Sequence, residues 1–258
     1  MCELLGMSAK RRRAANATLR EFFSHAEQHP HGWGLAKLRP GEAPVIEKEA
    51  VKATKSAALR RILEAPIEES ALLAHIRLAT IGTVGYANCH PFAADDNSGR
   101  TWTLVHNGTM FNGAELNEYV GIQFGETDSE RVLLHLVAMI DRAQVRKGRG
   151  LDESERFDVL SAAVAELSKG NKLNLLIYDG EIMYAHTNFR NTLHFSEEDD
   201  TVTFSTRPLP NGDWKRVPFT RLIAVKDGEI VHTSPPHGNE YIYNPEDYRL
   251  VYMNFARL

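Results

Sequence analysis

The residue with the clearest capacity for chemistry is Cys2, which directly follows Met1. If Met1 is removed, Cys2 carries both a thiol and a free α-amine. Such an amine has an ordinary pKa of about 7.7–8.0, so near neutral pH it can accept the thiol proton and activate the sulfur as a nucleophile. The alternative is that Cys2 is a small apolar residue at the start of a buried strand, which is the more usual role of a lone cysteine.

Two charged residues could orient a substrate beside this thiol. Arg77 follows an apolar stretch at residues 71–76, and a buried charge needs partners because an unpaired one is costly. Its guanidinium could form a structural ion pair or bind a ligand carboxylate in bidentate fashion. Thr127 and Glu130 fit a capping box that places Asp128 at the first helical position. The Asp128 carboxylate could complement the helix dipole and also receive a ligand ammonium.

Asn107 and Gly108 could supply the remaining part of an acyl-transfer site. They follow a strand-like stretch at residues 101–106, and Asn-Gly at such a place is typical of a sharp turn. The same pair offers two donors, the Asn107 side-chain amide and the Gly108 backbone N–H, that could stabilise an oxyanion. At this position the sequence permits either an ordinary turn or an oxyanion hole.

Other kinds of site are weakly represented. The sequence has no glycine-rich nucleotide loop and no G-x-S-x-G elbow of a serine triad. Cys89 and His90 are adjacent, so on extended backbone their side chains point to opposite sides and make a poor nucleophile–base pair. His29 and His31 could share a face, but two histidines without a third ligand are weak support for a metal site. We expect neither a metal nor a cofactor.

The stretches that must position these residues form hairpins, then helices, then hairpins again. Asp179-Gly180 and Asp227-Gly228 each predict a tight hairpin. With no alternating βαβ series, the order favours antiparallel sheets covered by helices in one α+β domain. Periodicity predicts helices at residues 14–28, 54–64, 128–142 and 154–168, an irregular stretch at 81–100, and strands at 2–7, 32–38, 45–48, 71–77, 101–106, 173–178, 181–186, 192–195, 201–205, 221–226 and 229–233.

The bulk composition fits a soluble globular protein. The 258 residues are 43% hydrophobic and 25% charged with a net charge of -4, which gives no general affinity for nucleic acid or an anionic membrane. Two cysteines cannot form a disulfide framework, as is typical of a reducing cytoplasm. No apolar run reaches the roughly 18–20 residues of a membrane span. The basic run at residues 10–13 is expected to be the solvated start of the first helix.

The sequence carries, in this order, a cysteine at position 2, H-x-R-x-A-T at 75–80, N-x-H-P at 88–91, H-N-G at 106–108 and E-T-D-S-E at 126–130. Taken together, these motifs resemble the glutaminase domain of class II glutamine amidotransferases. The opening M-C-E-L-L-G-M-S-A and the G-W-G at residues 32–34 narrow the resemblance to stand-alone, YafJ-like members. The match is dense over residues 2–130 and thinner beyond.

The resemblance implies an N-terminal-nucleophile (Ntn) hydrolase fold, which is a four-layer αββα sandwich with two stacked antiparallel sheets. It implies that Cys2 attacks the side-chain amide of glutamine, that a γ-glutamyl thioester forms, and that water then releases glutamate. It further implies that Arg77 binds the α-carboxylate and Asp128 the α-ammonium of the substrate. The remaining implied site residues are Asn107 and Gly108 in the oxyanion hole, and Thr80 and Gly82 in the loop that closes on the substrate.

Some features depart from the family pattern. His31 precedes Gly-Trp-Gly where relatives often have Asp, and Leu78 stands where larger amidotransferases often have an aromatic residue. We expect a single glutaminase-type domain over residues 1–258 without a synthase domain, so that ammonia passes to a separate accepting enzyme or to solvent. Alternatives are hydrolysis of another γ-glutamyl compound, such as a thiol or amine, a metal-dependent hydrolase, and a non-catalytic regulatory subunit. We expect a cytoplasmic protein without nucleic-acid or membrane partners.

Overall fold

The computed structural model describes residues 2–247 and 249. Within them the helices are α1 (Asn16–Ser24), α2 (Ala57–Glu64), α3 (Asp128–Lys147) and α4 (Glu153–Leu167), with short 3₁₀ turns at His25–Gln28, Ala53–Lys55, Tyr86–Asn88 and Ala114–Tyr119. The strands are β1 (Glu3–Ala14), β2 (Trp33–Leu38), β3 (Val45–Glu49), β4 (Glu68–Ile76), β5 (Phe92–Asp95), β6 (Thr101–His106), β7 (Leu175–Tyr178), β8 (Met183–His186), β9 (His194–Glu198), β10 (Thr201–Ser205), β11 (Lys215–Arg216), β12 (Leu222–Lys226) and β13 (Glu229–Thr233).

The strands form two antiparallel sheets. The first has the order β11-β9-β10-β1-β4-β2-β3 and the second the order β13-β12-β8-β7-β6-β5. In the first sheet β1 lies between β10 and β4, where Leu5 is opposite Ser205 on one side and Ala74 on the other. Cys2 immediately precedes this central strand, so the sheet fixes the backbone on which the cysteine sits.

Alternate side chains of the central strands enter different cores, which stacks the molecule in four layers. On β1, Leu4 packs between the two sheets, whereas Leu5 packs with the core that includes α1 and α2. On β7, Leu176 enters the same inter-sheet core and Leu175 faces α3 and α4. Side chains alternate across a strand, so strands buried on both faces must be apolar at successive positions. The predicted αββα sandwich of two stacked antiparallel sheets is confirmed.

Most predicted elements are present, and the differences lie where pairing is not local. Asp179-Gly180 joins β7 to β8 and Asp227-Gly228 joins β12 to β13, as predicted. The prediction for residues 10–13 is wrong in one respect, because they extend β1 instead of starting a helix, although they are exposed as expected. Residues 81–100 are also not wholly irregular, since β5 pairs with β6.

The segment after β13 is rich in tyrosine. Tyr241 is buried and stacks on Phe111, whereas Tyr243 is exposed. Tyr248 and Tyr252 lie outside the described residues. Among the helices of the described part of the chain, none combines the length and apolarity that crossing a membrane requires.

Candidate active site

Cys2 lies against the chain that leaves β4. Its thiol donates to the Leu78 carbonyl oxygen at 3.4 Å, and the Leu78 N–H donates to Sγ at 3.3 Å. The half-buried cysteine lines a cavity of about 190 Å³ together with Asn107. Burial raises the pKa of the thiol, while the Leu78 hydrogen bond and the charges of Arg77 and Lys172 lower it. With burial as the largest effect, the thiol needs a proton acceptor to become a nucleophile.

The chain after β6 carries two candidate hydrogen-bond donors near Cys2, the backbone N–H of Gly108 and the side-chain Nδ2 group of Asn107. The backbone N–H groups of Asn107 and Thr109 donate to the carbonyl oxygens of Asn174 and Lys172, both at 3.0 Å. Between them, the Gly108 N–H has no hydrogen-bond partner in the described part of the chain. Asn107 Oδ1 accepts from Lys172 Nζ at 3.3 Å, which directs the Nδ2 donors away from the lysine. This arrangement has the chemistry of an oxyanion hole.

Glycine is required at position 108 by the closeness of its neighbours. A Cβ on Gly108 would lie 2.0 Å from the Lys172 carbonyl oxygen and 2.1 Å from His106 Nε2. The His106 ring is itself fixed, since Nδ1 lies 3.0 Å from Ser129 Oγ in α3. Any side chain at 108 would therefore displace the backbone that carries the Gly108 N–H.

Asp128 begins α3 as predicted, and it is buried. Thr127 caps the helix, because its hydroxyl accepts from the Glu130 N–H at 3.2 Å. The second hydrogen bond of the predicted capping box, from the Thr127 backbone N–H to the Glu130 side chain, is not formed, so this part of the prediction is wrong. The Glu130 carboxylate instead accepts from the N–H groups of Phe124 and Gly125, at 2.7 and 2.8 Å, so it orders the loop before the helix.

The Asp128 carboxylate connects α3 to the turn that follows β6. One oxygen accepts the Ser129 N–H at 2.9 Å and the other accepts the Met110 N–H at 2.9 Å. Met110 is two residues after Gly108, so the same short segment carries the Gly108 N–H and the partner of Asp128. Each carboxylate oxygen keeps capacity for a further donor, which a ligand ammonium could fill.

Arg77 is buried directly after β4, and among the described residues its guanidinium bonds to backbone carbonyl groups instead of a carboxylate. The guanidinium donates to the carbonyl oxygens of Ile81 and Thr83, both at 2.9 Å, and of Gly82 at 3.1 Å. These bonds use three of the five N–H donors of an arginine. Arg77 therefore holds the following loop in place of a structural ion pair and keeps donors that a carboxylate could use.

The loop that carries Thr80 and Gly82 is also hydrogen-bonded to Glu126, which lies just before α3. The Glu126 carboxylate accepts from the Thr83 backbone N–H at 2.9 Å and hydroxyl at 2.7 Å, and from Asn88 Nδ2 at 3.0 Å. These hydrogen bonds lower the pKa of Glu126. Gly82 has a φ of 80°, which glycine adopts without strain. Thr80 is half-buried in the same loop.

The predicted site residues therefore lie in one region. Burial lowers the pKa of the Arg77 guanidinium, and the charges of Cys89, Cys2, Asp128 and Glu126 oppose that effect. The surroundings of the thiol thus include a cation, an anion and two groups that could donate to an oxyanion. This combination suits an amino-acid head group whose side-chain amide is presented to a sulfur nucleophile.

The other candidate residues serve the framework. Cys89 and His90 are both buried, and the His90 ring stacks on His75 with centroids 4.0 Å apart. His31 Nδ1 accepts the Ala79 N–H at 2.9 Å. Over the described residues, no group of three or more side chains is arranged to hold a metal ion.

Sequence reasoning missed Lys172, which lies in the segment between α4 and β7 and bridges to Thr109. It is buried, with Nζ at 3.3 Å from Asn107 Oδ1. Burial lowers the pKa of Lys172 to about 8, and the charge of Cys2 opposes this effect. The signal available in the sequence is the one used for Arg77, a cation beside an apolar strand.

Comparison with known proteins identifies relatives along most of the chain. The sequence model of the family described as "Glutamine amidotransferases class-II" matches residues 1–196. An uncharacterized protein of Methanocaldococcus jannaschii is 29% identical over 263 residues, covering 91% of this chain and 72% of that protein. The Escherichia coli protein named "Putative glutamine amidotransferase YafJ" is 27% identical over 232 residues, covering 82% of this chain and 86% of that protein.

Solved structures share the fold. Glutamine phosphoribosylpyrophosphate amidotransferase from B. subtilis, complexed with ADP and GMP, aligns with a TM-score of 0.66 and 18% identity over 90% of this chain and 49% of its own. This chain thus spans about half the length of that enzyme. A structure described as a "predicted glutamine amidotransferase" from Pseudomonas aeruginosa aligns with a TM-score of 0.60 and 22% identity, covering 90% of this chain and all 100% of its own. At these identities the likeness concerns the fold alone.

Proposed function

Because this chain belongs to the class II glutamine amidotransferase family, we propose that it hydrolyses the γ-glutamyl amide of glutamine through a thioester on Cys2. The observation that carries the proposal is the placement of Cys2 and Asn107 on one cavity, with Arg77 and Asp128 close enough to interact electrostatically. A nucleophile, an oxyanion donor and two opposite charges are the parts that amide hydrolysis of an amino-acid side chain requires.

In this proposal the Cys2 α-amine, freed by removal of Met1, takes the thiol proton. The sulfur then attacks the side-chain carbonyl carbon of glutamine, and the resulting oxyanion accepts from Asn107 Nδ2 and the Gly108 N–H. The protonated amine returns its proton to the leaving nitrogen, so ammonia departs and a γ-glutamyl thioester remains. The neutral amine next deprotonates a water molecule, which attacks the thioester carbonyl. Glutamate leaves as the carbon–sulfur bond breaks and the thiol is restored.

Recognition of the substrate rests on its two charges. The remaining donors of Arg77 would bind the α-carboxylate, and Asp128 would accept from the α-ammonium. A site that leaves buried charges unpaired when the ligand lacks a matching group discriminates more strongly than a fit of methylene groups. The loop that carries Thr80 and Gly82 would cover the substrate, since Arg77 itself anchors that loop.

Two further parts of the proposal concern the surroundings of the reaction. The ammonia released at Cys2 would be used by a separate accepting enzyme or lost to solvent. A reducing compartment such as the cytoplasm would keep the nucleophilic thiol free.

The test is glutamate release from glutamine by the purified protein, together with its intact mass. We expect Cys2 to be the first residue of the active form and Cys2→Ala to abolish glutamate release. Cys89→Ala is the matched control, because it removes the other cysteine and should retain turnover. Turnover by Cys2→Ala would exclude the thiol from the mechanism. If the wild type releases glutamate only from other γ-glutamyl compounds, the thioester chemistry holds and glutamine is the wrong substrate.

A further inference from the structure

A buried lysine lies behind the two proposed oxyanion donors. Resting on the role proposed above for Cys2, we propose that Lys172 is a positioning residue of this site. Its ammonium group orients the side-chain amide of Asn107 and places a positive charge near the cysteine. Lys172 was not among the residues that the sequence motifs indicated, and it lies in a segment distant along the chain from both of its targets.

The burial of this side chain argues for a role beyond packing. Lys172 is 1% exposed and belongs to the largest fully buried side chains of the described residues. Its partners include a neutral amide oxygen and the ring of Phe189, whose centroid lies 5.4 Å from Nζ. Burying an ammonium group is expensive, and an apolar residue of similar volume would avoid that cost.

The hydrogen bond to Asn107 determines which way the amide faces. A lysine ammonium is a donor without acceptor capacity, so it can bind the Oδ1 end of Asn107 and not the Nδ2 end. The Nδ2 group must then point to the other side, which is the orientation that an oxyanion hole needs. Without Lys172, both orientations of the amide would compete, and one of them would present an oxygen to the developing negative charge.

The backbone of the same residue fixes the second donor. The Lys172 carbonyl oxygen accepts the Thr109 N–H at 3.0 Å and would lie 2.0 Å from a Cβ on Gly108. The turn at residues 107–109 is thus held at one end by the Lys172 side chain and at the other by its main chain. Lys172 therefore acts on both donors without having to touch the substrate.

The positive charge of Lys172 is its second contribution to the proposed site. In the described part of the chain, the titratable groups that interact with Lys172 include Cys2, before β1, and His106, at the end of β6. Burial raises the pKa of the Cys2 thiol, and the Lys172 charge is among the effects that lower it. A nearby cation favours the thiolate, and it also favours the neutral form of an adjacent amine. Both are the reactive states in the proposed mechanism.

Two substitutions separate the hydrogen bond from the charge. Lys172→Met removes both, whereas Lys172→Gln removes the charge and keeps a donor for Asn107. Lys48→Met is the matched control, because Lys48 is a half-buried lysine bonded to the carbonyl oxygens of Cys89 and Pro91. We expect Lys172→Met to lower kcat about 100- to 1,000-fold, the effect of losing an oxyanion donor, with KM nearly unchanged. Lys172→Gln should lose less, and Lys48→Met should retain the wild-type kcat.

The charge is tested without any substrate, by the pH dependence of Cys2 alkylation with iodoacetamide in a Cys89→Ala background. Both Lys172 variants should alkylate about tenfold more slowly at pH 7 and move the titration midpoint to higher pH, while Lys48→Met should not. Wild-type kcat and an unmoved alkylation profile in the Lys172 variants would overturn the inference, whatever their melting temperature. If Lys172→Met does not fold, the alkylation profile of Lys172→Gln decides. A shifted profile in a protein that leaves glutamine intact would support this inference and contradict the proposed function.

Discussion

Burial of Lys172 should make the stability of the protein depend on pH in a defined window. The perturbation is Lys172→Met, introduced into a Cys2→Ala protein so that titration of the nearby thiol does not overlap with that of the lysine. Removing Cys2 also removes a charge that raises the pKa of Lys172, so the lowering of that pKa by burial is less opposed. The quantity to compare is the free energy of unfolding of the single and the double variant.

The magnitude follows from the difference between the folded and unfolded lysine. Burial lowers the pKa of Lys172 from 10.5 to about 8 in the folded protein. Between these values the unfolded chain binds a proton that the folded chain does not, so stability rises with pH. At about 1.4 kcal/mol per pH unit, the window contributes about 3 kcal/mol. Below pH 8 the buried charge is present and destabilising, and as the pH rises towards 10.5 that penalty disappears.

The assay is urea unfolding at pH 7, 8, 9 and 10, followed by the fluorescence of the buried Trp33 and Trp102. The stability of the single variant, measured relative to the double variant, should rise by about 2.5 kcal/mol between pH 7 and pH 10, mostly above pH 8. Subtracting the double variant cancels the titration of every other group. A difference that stays constant would mean that Lys172 keeps its ordinary pKa. A difference that falls with pH would mean that a carboxylate stabilises its charge, and either result would refute the reasoning.

Three further substitutions probe the other parts of the site. Gly108→Ala should lower kcat for glutamine hydrolysis about 100- to 1,000-fold, because its Cβ would lie 2.0 Å from a carbonyl oxygen, whereas Cys2 should still be alkylated. Asp128→Asn should raise KM for glutamine at least about tenfold through loss of the charge that meets the ammonium, with steady-state kinetics as the measurement. Glu126→Gln should speed amide hydrogen exchange at residues 80–88, because its carboxylate accepts from Thr83 and Asn88, and unchanged exchange would show that the loop is held by other contacts.

The parts of the fold that could be predicted from the sequence are those set by local signals. Asp179-Gly180 and Asp227-Gly228 mark hairpins because turn chemistry selects the residues at the turn itself. The strands β5 and β11 could not be found in this way, since they are short and gain their structure from partners in β6 and β9. Residues 10–13 looked like a helix start, but pairing of Arg13 with Glu69 keeps them in β1.

The site shows the same limit. Cys2 and Asp128 could be proposed from the sequence because their chemistry is local to the chain start and to a helix start. The partners of Arg77 could not be predicted from the sequence. An arginine that bonds to carbonyl oxygens of its own loop has the same sequence pattern as one that binds a ligand carboxylate. Lys172 carries the same local signal as Arg77, a cation beside an apolar strand, but its target could not be proposed, since only the stacking of the fold brings it to a residue 65 positions earlier in the chain.

The position of Lys172 links the stability of the fold to the chemistry proposed for it. Cys2 belongs to one sheet through β1, and Asn107 follows β6 of the other sheet, so the cavity they share exists only while the two sheets are stacked. Lys172 enters just before β7, the strand that pairs with β6. Its buried charge works against folding at neutral pH, and an apolar replacement would relieve that effect. In our proposal this charge, which weakens the fold, orients the Asn107 amide and acts on the Cys2 thiol. A protein that trades stability for activity is expected to retain such a charge.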